Sequence, residues 1–472
     1  MGKRICAIMV AKKITGQGEI PMSTWAKRNF RPALHYAPPY GWINDPNGLV
    51  YADGEYHLFA QYYPYDTVWG PMHWFHAKSK DLLHWKQLGI ALRPDDELGM
   101  IFSGSAVIDE GNTSGLGDGT RDPMICMFTH HGDCEQQSIA YSTDYIHFTK
   151  YEGNPVIKNS GLKDFRDPKV FKNPVKGGWS CAVAAGDHVD FYASKNLIDW
   201  EKTGEFGKSE CIRPGVYECP DLFPLTAPDG KEYWVLTCSN CYANEEGGNR
   251  SQYFIGQFDG DTFHQTEKWD EPVMSDVGYD NYAAVTFAGA DRPVQIGWGT
   301  SWVYAKELPT SEFCGQMTIA REMYLADTPA GLRMASRPVL PNVVFGPVED
   351  GAMLPGEVFA LRIKAEGAFE AKLENDGESF RFGLDEDGNF FTDRTNAGMS
   401  DFHPQFNDEM MRVVKAKKLC EGAVEMTVVF DTCMAEIFAD NGVYSNTTLV
   451  FPQKRYQRLR LTGAEAELAQ LA

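Results

Sequence analysis

Apolar and polar residues alternate with a period of two along much of this chain. The run YHLFAQY at residues 56–62 is one example, and similar runs are common. A period of two is typical of β-strands that are buried on one face. The 3.6-residue period of a long amphipathic helix is absent, so the pattern predicts an all-β protein.

A short motif recurs between the predicted strands. Its full copies are SKDLLHW at 79–85, STDYIHF at 142–148 and SKNLIDW at 194–200, and DGDTF at 259–263 is a degenerate fourth. Each copy follows one strand-like stretch and precedes another, as expected of a repeated structural unit. We interpret the motif as a polar turn whose aromatic residue packs back onto its own sheet.

Five polar segments that run into apolar stretches interleave with these turns. They begin at residues 44, 102, 166, 218 and 280, with the sequences NDPNG, FSGS, RDP, ECPD and DNY. The intervals between them suit one four-stranded blade with generous loops. We therefore predict a five-bladed β-propeller over residues 31–337, with the five segments meeting at one end of its axis. The alternative is an irregular all-β protein whose turns are alike by chance.

The pattern of residues along the sequence changes after about residue 337. Pro338, Pro341 and Pro347 indicate a linker over residues 338–352. Alternating runs and the hairpin turns NDG and DNG follow, and they predict an antiparallel β-sandwich over residues 353–472. A chain of 472 residues is long enough for these two domains, preceded by an N-terminal extension at residues 1–30.

Composition excludes several classes of function. The net charge of −21 argues against a nucleic-acid or anionic-membrane partner, and the chain has no apolar run long enough to span a membrane. The apolar stretch at residues 5–11 is short, and lysines follow where a signal cleavage site would lie. With eleven cysteines in no framework spacing, a cytoplasmic location with free thiols is expected. The lone pair Cys238 and Cys241 is a weak zinc signal, and we expect no metal and no other cofactor.

Three of the five segments carry a carboxylate next to a proline or one residue away from it. These carboxylates are Asp45, Asp167 and Glu218. Glycosidases usually cleave the glycosidic bond with two or three carboxylates that converge on one site. Taken singly, each has a plainer interpretation as a turn residue, an ion-pair partner of Arg166 or part of a surface loop.

In their order along the chain, the motifs resemble a known family. WINDPNG at 42–48, FSGS at 102–105, RDP at 166–168 and ECPDLF at 218–223 closely resemble glycoside hydrolase family 32, the invertases, fructanases and sucrose-6-phosphate hydrolases. WGPMHW at 69–74 and LPT at 308–310 are also similar to it. The resemblance covers residues 31–452 and implies a five-bladed propeller, a β-sandwich and a metal-independent enzyme acting on β-fructosides.

The resemblance also implies a role for each carboxylate. Asp45 would be the nucleophile that forms a fructosyl ester, and Glu218 would protonate the leaving sugar and then deprotonate water. Glu218 would need a raised pKa for this role. Asp167 would grip fructose hydroxyls and stabilise the transition state without forming a bond.

A fructose pocket is implied around these carboxylates. Seven further residues would supply its hydrogen-bonding groups and apolar walls: Asn44, Gln61, Trp69, Phe102, Ser103, Arg166 and Trp302. His73 and His76 look like a metal pair, but a packing role suits a family that needs no metal. Phe75 stands where glycine is common, and we expect it to narrow the region beyond the fructose site.

The sequence leaves several functions open. The expected one is hydrolysis of sucrose and short fructo-oligosaccharides. A sucrose 6-phosphate hydrolase would need a basic pocket, for which Lys78, Lys80 and Arg93 are the candidates. A fructosyltransferase, a non-catalytic fructan-binding protein and an enzyme acting on arabinosides or xylosides also remain open. The oligomeric state is open too, a homo-oligomer included.

Overall fold

The computed structural model describes residues 29–208, 215–241 and 248–471. Within these ranges β-strands dominate, as the alternating pattern predicts. The helical turns are short: Ala305–Glu307, Pro404–Asn407 and Glu409–Arg412. None of the described helices has the length and apolar character needed to cross a bilayer. Residues 1–28 of the predicted N-terminal extension lie outside the described residues.

Five antiparallel sheets of the first domain form the blades of a propeller. The first blade contains β1 (Gly41–Ala52), β2 (Glu55–Tyr63), β3 (His73–Ser79) and β4 (Trp85–Leu92). The second contains β5 (Met100–Ile108), β6 (Met124–His131), β7 (Glu135–Ser142) and β8 (Thr149–Lys150). The third contains β9 (Arg166–Lys172), β10 (Trp179–Ala184), β11 (Val189–Ser194) and β12 (Trp200–Phe206). The fourth contains β13 (Val216–Thr226), β14 (Glu232–Cys241), β15 (Arg250–Phe258) and β16 (Phe263–Glu267).

The fifth blade closes the ring. Its strands, with one short strand that leaves it, are β17 (Tyr282–Thr286), β18 (Val294–Trp298), β19 (Phe313–Cys314), β20 (Arg321–Thr328) and β21 (Gly331–Pro338). Strand β19 pairs in parallel with β1 of the first blade. This pairing joins the end of the propeller to its beginning, so the first blade keeps no free inner edge.

The first strand of each blade lies innermost, as predicted, and these strands pack against one another around the axis. Side chains bind the ring from within. The Ser105 hydroxyl donates to the carbonyl of Pro168 at 2.7 Å. The buried Lys169 ammonium pairs with Asp221 at 2.8 Å and donates to the carbonyl of Thr286 at 2.7 Å. Three blades thus share one buried ion pair at the axis.

The recurring motif forms the same polar turn in its three full copies. Its third residue, which is Asp81, Asp144 or Asn196, accepts hydrogen bonds from the backbone N–H groups two and three residues further on. The aromatic ring of the second copy departs from the prediction. Phe148 packs edge-on against Phe59 of the first blade, with 5.4 Å between ring centroids. It lies partly buried against the apolar cluster that the first and second blades share.

The second domain is the predicted β-sandwich. Its strands are β22 (Gly346–Val348), β23 (Val358–Ala365), β24 (Phe369–Glu374), β25 (Ser379–Leu384), β26 (Asn389–Asn396), β27 (Val413–Lys417), β28 (Val424–Asp431), β29 (Met434–Ala439), β30 (Tyr444–Leu449), β31 (Arg458–Thr462) and β32 (Glu465–Gln470). One sheet has the order β22-β32-β23-β28-β29-β30 and the other the order β27-β26-β25-β24-β31. Their facing sides form an apolar core that includes Leu361, Phe382 and Val428.

The predicted domain boundaries need two adjustments. Strand β22 lies inside the segment predicted as a linker, so only residues 339–345 connect β21 to the sandwich. Pro347 suggested a loop because proline cannot donate to a ladder, but β22 is an edge strand, where proline is tolerated. Phe30, assigned to the extension, is 1% exposed and packs edge-on against Phe451 of the sandwich domain.

A buried cluster of charges joins the two domains. Arg321 of the propeller pairs with Asp276 at 2.8 Å and with Glu436 of the sandwich. His35 lies between Asp431 and Glu436, at 3.0 and 2.8 Å. Burial by itself lowers the pKa of His35, but its hydrogen bonds to the two carboxylates outweigh burial and raise that pKa to about 9. The interface therefore depends on matched charges that water does not reach.

We expect Glu436→Gln to destabilise the protein by about 3–5 kcal/mol, because Arg321 and His35 then lose a buried partner. Denaturant unfolding followed by circular dichroism measures this. The matched control is Glu425→Gln, since Glu425 is exposed and its pair with Lys364 spans 3.0 Å at the surface. The control is expected to cost no more than about 1 kcal/mol. Equal effects of the two substitutions would contradict the proposed importance of the buried cluster.

Candidate active site

A β-bulge interrupts each of the five innermost strands near one end of the axis. The register breaks lie between Ile43 and Pro46, Ile101 and Gly104, Arg166 and Lys169, Glu218 and Asp221, and Tyr282 and Val285. A bulge removes residues from the ladder and redirects their side chains. Asp167, Cys219 and Ala283 occupy bulges with φ of +63°, +46° and +54°. Left-handed backbone at such residues costs about 1–3 kcal/mol each, which the surrounding sheets must offset.

The bulges surround one pocket of about 400 Å³. The structure brings together there all ten residues assigned to the site from the sequence: Asn44, Asp45, Gln61, Trp69, Phe102, Ser103, Arg166, Asp167, Glu218 and Trp302. Three residues that the sequence analysis missed also line it: Glu135, Asp164 and Lys306. The chemical role of each residue stays a prediction at this point.

Asp45 is held through one of its two carboxylate oxygens. The Ser103 hydroxyl donates to Oδ2 at 2.7 Å, and the Cys219 thiol lies 3.7 Å from the same oxygen. Oδ1 is buried and accepts no hydrogen bond from any residue in the described ranges. Ser103 thus fixes the Asp45 carboxylate at the pocket wall through one oxygen.

Glu218 is bound at both carboxylate oxygens. Arg166 donates to Oε1 at 3.1 Å, and the Tyr282 hydroxyl donates to Oε2 at 2.5 Å. Burial raises the pKa of Glu218 above its ordinary value of 4.5, and the negative charge of Asp45 adds to the increase. Arg166 and Tyr282 act in the opposite direction but do not cancel it. The structure thus gives the raised pKa that a general acid requires.

Arg166 forms ion pairs with three carboxylates of the pocket. Besides Glu218, its guanidinium binds Asp164 at 2.8 Å and Glu135 at 3.1 Å. Glu135 also accepts the backbone N–H of Phe165 at 2.8 Å, which fixes the chain just before Arg166. Three carboxylates therefore orient one planar cation, whose fork geometry suits this arrangement.

Asp167 lies deeper than the other carboxylates. Its Oδ2 accepts the backbone N–H of Cys219 at 2.9 Å, and its own N–H donates to Thr129 at 2.9 Å. Burial raises the pKa of Asp167 to about 8, although Arg166 opposes this, and the charges of Glu218 and Asp45 reinforce the increase. Burial, reinforced by repulsion between the carboxylates, therefore keeps a proton on Asp167 near neutral pH.

Aromatic rings wall the pocket. Trp69 meets Phe102 edge-on, with 6.3 Å between ring centroids. Trp302 stacks on the buried Trp42 at 5.7 Å. Flat apolar faces of this kind suit the C–H faces of a sugar ring.

Two amides on the first blade are oriented by the protein itself. The Trp42 indole N–H donates to Asn44 Oδ1 at 2.8 Å, and Gln61 donates to the carbonyl of Ile101 at 2.9 Å. Each amide is fixed through one of its two polar ends. The other end is available to a ligand hydroxyl in the pocket.

The expectation for Phe75 is wrong. Phe75 is buried against Tyr36 and Tyr62, at 5.7 and 5.2 Å between ring centroids, and does not line the pocket. Successive residues of a strand point to opposite faces, and the motif by itself does not reveal which face Phe75 takes. His73 and His76 form no joint site: His73 bonds the carbonyl of Pro71, and His76 bonds His57.

The missed pocket residues differ in how visible they are in the sequence. Asp164 stands two residues before the RDP segment, so it lay near a recognised motif. Tyr282, which bonds Glu218 without lining the pocket, belongs to the DNY segment. Lys306 lies in the turn Ala305–Glu307, two residues before the LPT segment, so it too lay near a motif. Glu135 begins β7, far from any motif, and no local signal could have assigned it.

Comparison with known families agrees with this geometry. Residues 35–338 match the Glycosyl hydrolases family 32 N-terminal domain, and residues 357–471 match the Glycosyl hydrolases family 32 C terminal. The chain belongs to glycosyl hydrolase family 32. The resemblance inferred from the motifs is thereby confirmed, as is the assignment of this family 32 member as a glycoside hydrolase.

Individual relatives cover most of the chain. The levanase of Bacillus subtilis (strain 168) is 37% identical, over 94% of this chain and 69% of the levanase. The crystal structure of exo-inulinase from Aspergillus awamori has a TM-score of 0.85 at 28% identity, covering 95% of this chain and 99% of that one. The structure of fructofuranosidase from Schwanniomyces occidentalis complexed with fructose has a TM-score of 0.84 at 27% identity, covering 94% and 99%.

Asp167→Asn is expected to stabilise this family 32 hydrolase while abolishing activity. A raised pKa means that the stability contributed by Asp167 is complete below its ordinary value of 3.8 and is lost as the pH rises through about 8. Asparagine keeps the backbone contacts without that pH-dependent cost. We expect the melting temperature to rise by a few degrees at pH 8 and to match the wild type near pH 4.

Thermal scans at the two pH values test this expectation. Asp387→Asn is the matched control, because Asp387 lies exposed on a hairpin of the sandwich. It should leave both melting temperatures unchanged. A lower melting temperature of Asp167→Asn at pH 8 would show that the carboxylate stabilises the fold instead.

Proposed function

We propose that this hydrolase is a retaining exo-β-fructofuranosidase. It would release terminal β-D-fructofuranosyl units from sucrose and short fructo-oligosaccharides through a covalent fructosyl-Asp45 intermediate. The observation that carries the proposal is the pairing of two unlike carboxylates in one pocket. Asp45 lines the pocket and is held there by Ser103, and Glu218 has a raised pKa. A retaining glycosidase requires this division into nucleophile and acid.

In the first step, the Asp45 carboxylate attacks C2 of the fructosyl unit. Glu218 transfers its proton to the glycosidic oxygen, so the bonding pair leaves with a neutral sugar. Ser103, bonded to Oδ2, keeps the nucleophile in place during the attack. Arg166 next to Glu218 stabilises the carboxylate that this transfer leaves behind.

In the second step, Glu218 acts as the base. It removes a proton from water, and the water oxygen attacks C2 and displaces Asp45 with its bonding pair. Asp167, which burial keeps protonated near neutral pH, can bind fructose hydroxyls as donor or acceptor. Through these hydrogen bonds it stabilises the transition state without forming a covalent bond.

The pocket volume supports exo action. A space of about 400 Å³ is at the small end of ligand pockets and suits a terminal sugar with part of its neighbour. Among relatives, a levanase and exo-inulinases act by name on fructans, so longer chains that offer their ends are also candidate substrates.

Sucrose 6-phosphate has weaker support. The candidate cations Lys78, Lys80 and Arg93 do not line the pocket, and Lys78 is paired with Glu55 at 2.5 Å. Lys306 does line the pocket and is exposed, so it is the described cation best placed to meet a phosphate. Arg166 also lines it, but three carboxylates already occupy its guanidinium.

A binding role and a transferase role have less support than hydrolysis. A non-catalytic binding protein would not need three converging carboxylates of unlike environment. A fructosyltransferase shares the first step, and only access of water in the second step separates it from a hydrolase. The cytoplasmic location stays a prediction, and some relatives are named extracellular exo-inulinases.

We expect Asp45→Asn to abolish fructose release, because the amide oxygen is a poor nucleophile. Glu218→Gln should lower kcat on sucrose by a factor of about 10² or more. The loss should be much smaller on β-D-fructofuranosyl fluoride, whose leaving group needs no proton. Initial rates by fructose assay on the two substrates measure both effects.

Two surface substitutions serve as controls for this pair. Asp229→Asn and Glu232→Gln alter exposed side chains at the hairpin that joins β13 and β14, and both variants should keep wild-type rates. Near-full hydrolysis of sucrose by Glu218→Gln would remove Glu218 as the acid. An unchanged rate of Asp45→Asn, or release of the inverted product by the wild type, would remove the covalent intermediate.

A substrate panel tests specificity. We expect fructose from sucrose, 1-kestose, inulin and levan, with the highest kcat/KM on the short substrates. If phosphate is not recognised, Lys306→Met should lower the hydrolysis of sucrose 6-phosphate no more than it lowers the hydrolysis of sucrose. A selective loss on sucrose 6-phosphate in this variant, together with a strong preference of the wild type for that sugar, would favour the phosphorylated substrate instead.

A further inference from the structure

Asp280 lies outside the pocket wall, but its carboxylate joins elements that reach the pocket. Oδ1 accepts a hydrogen bond from the Tyr304 hydroxyl. Oδ2 accepts the backbone N–H of Leu449 at 2.8 Å and pairs with Arg394 at 3.3 Å. Asp280 is 1% exposed, so these bonds form away from water. Oδ1 thus bonds a residue of the propeller, and Oδ2 bonds residues of the sandwich.

The two propeller segments that this carboxylate joins continue directly into the pocket. Tyr282 follows two residues later in the chain and donates to Glu218 at 2.5 Å. Tyr304 lies between Trp302 and Lys306, and both of these residues line the pocket. One anion therefore fixes the hydrogen-bond partner of Glu218 and one wall of the sugar site.

The sandwich residues that bind Asp280 are themselves held by several contacts. Arg394 belongs to β26, and its guanidinium also donates to the carbonyl of Leu449 at 3.2 Å. The same guanidinium lies over the ring of Phe406, 3.7 Å from its centroid. Leu449 ends β30. Two strands and a packed ring thus leave the cation little freedom to move.

We propose that Asp280 is a positioning residue through which the β-sandwich domain sets the place of Tyr282 on Glu218 and of the Trp302 wall. This inference rests on the proposed function, since it concerns the same pocket. The buried cluster around Arg321 also joins the domains. Its Asp276 accepts a hydrogen bond from Asn281 at 3.3 Å, but its Glu436 bonds His35, Ile319 and Arg321, which lie outside both pocket segments. The difference between the two clusters makes the role of Asp280 testable.

The direction of the expected effect follows from the contacts of Glu218. The Tyr282 hydrogen bond lowers the pKa of Glu218, so displacing that hydroxyl raises it further. As the acid, Glu218 must be protonated, and the basic limb of kcat/KM against pH therefore moves to higher pH. The other charged or titratable groups that influence or are influenced by Glu218 stay in place: Asp45, Arg166, Asp167, Cys219 and Cys241.

The experiment compares Tyr304→Phe and Asp280→Asn with Tyr282→Phe on sucrose. Tyr304→Phe removes one hydroxyl and keeps the ring packing, so it is the variant least disruptive to folding. We expect the basic limb to move to higher pH in all three variants. A roughly tenfold or greater loss of kcat/KM is expected in Asp280→Asn, because small displacements of positioned groups are costly in rate.

Glu436→Gln is the matched control, since it weakens the same domain interface through a carboxylate whose partners, His35, Ile319 and Arg321, lie outside both pocket segments. It should lower the melting temperature and leave KM and the pH profile unchanged. The proposal is overturned if Tyr304→Phe and Asp280→Asn behave like this control. If Asp280→Asn does not fold, the pH profile of Tyr304→Phe decides alone.

Failure of the proposed function would look different. In that case the wild type itself would release no fructose from any substrate in the panel.

A crystal structure of Tyr304→Phe tests the positioning directly. Displacement of the Tyr282 hydroxyl from Glu218, or of Trp302 from Trp42, supports the proposal, and unchanged positions of both overturn it.

Discussion

The burial of several carboxylates in one small pocket is the constraint on which this site depends. Asp45, Asp167 and Glu218 face the same space, and Arg166 is the cation bonded among them. Since like charges in a poorly solvated space cannot all be ionised, protons are retained on part of the set. The raised pKa values of Asp167 and Glu218 are the result. The proposed division into nucleophile and acid follows from this competition for protons.

Holding such a set in place requires a fold that can offset its cost. Each carboxylate comes from the innermost strand of a different blade, and a bulge turns it toward the axis. Repulsion and left-handed backbone would relax the site if the strands could separate. The pairing of β19 with β1 and the buried pair of Lys169 with Asp221 hold the strands together. Closure of the propeller is therefore a condition for the chemistry.

The second domain also contacts the propeller segments that form the site. Its core is its own, but its charged face meets the propeller at two clusters of different character. The cluster around Arg321 joins domain to domain. The cluster around Asp280 continues into the segments of Tyr282 and Trp302. A sandwich without catalytic motifs can thus shape the site through two strands and a short turn.

The sequence by itself determined the fold class, the repeat of the blades and the residues that line the pocket next to recognisable motifs. Alternation, turn chemistry and local motifs are properties of neighbouring residues, and they remain visible without a structure. Glu135 reached the pocket from a segment with no motif, because its neighbours in space are distant in sequence. The side of the sheet that Phe75 faces and the proton held by Asp167 were likewise decided by packing. Burial and charge repulsion depend on distances between blades, and only the tertiary structure sets those distances.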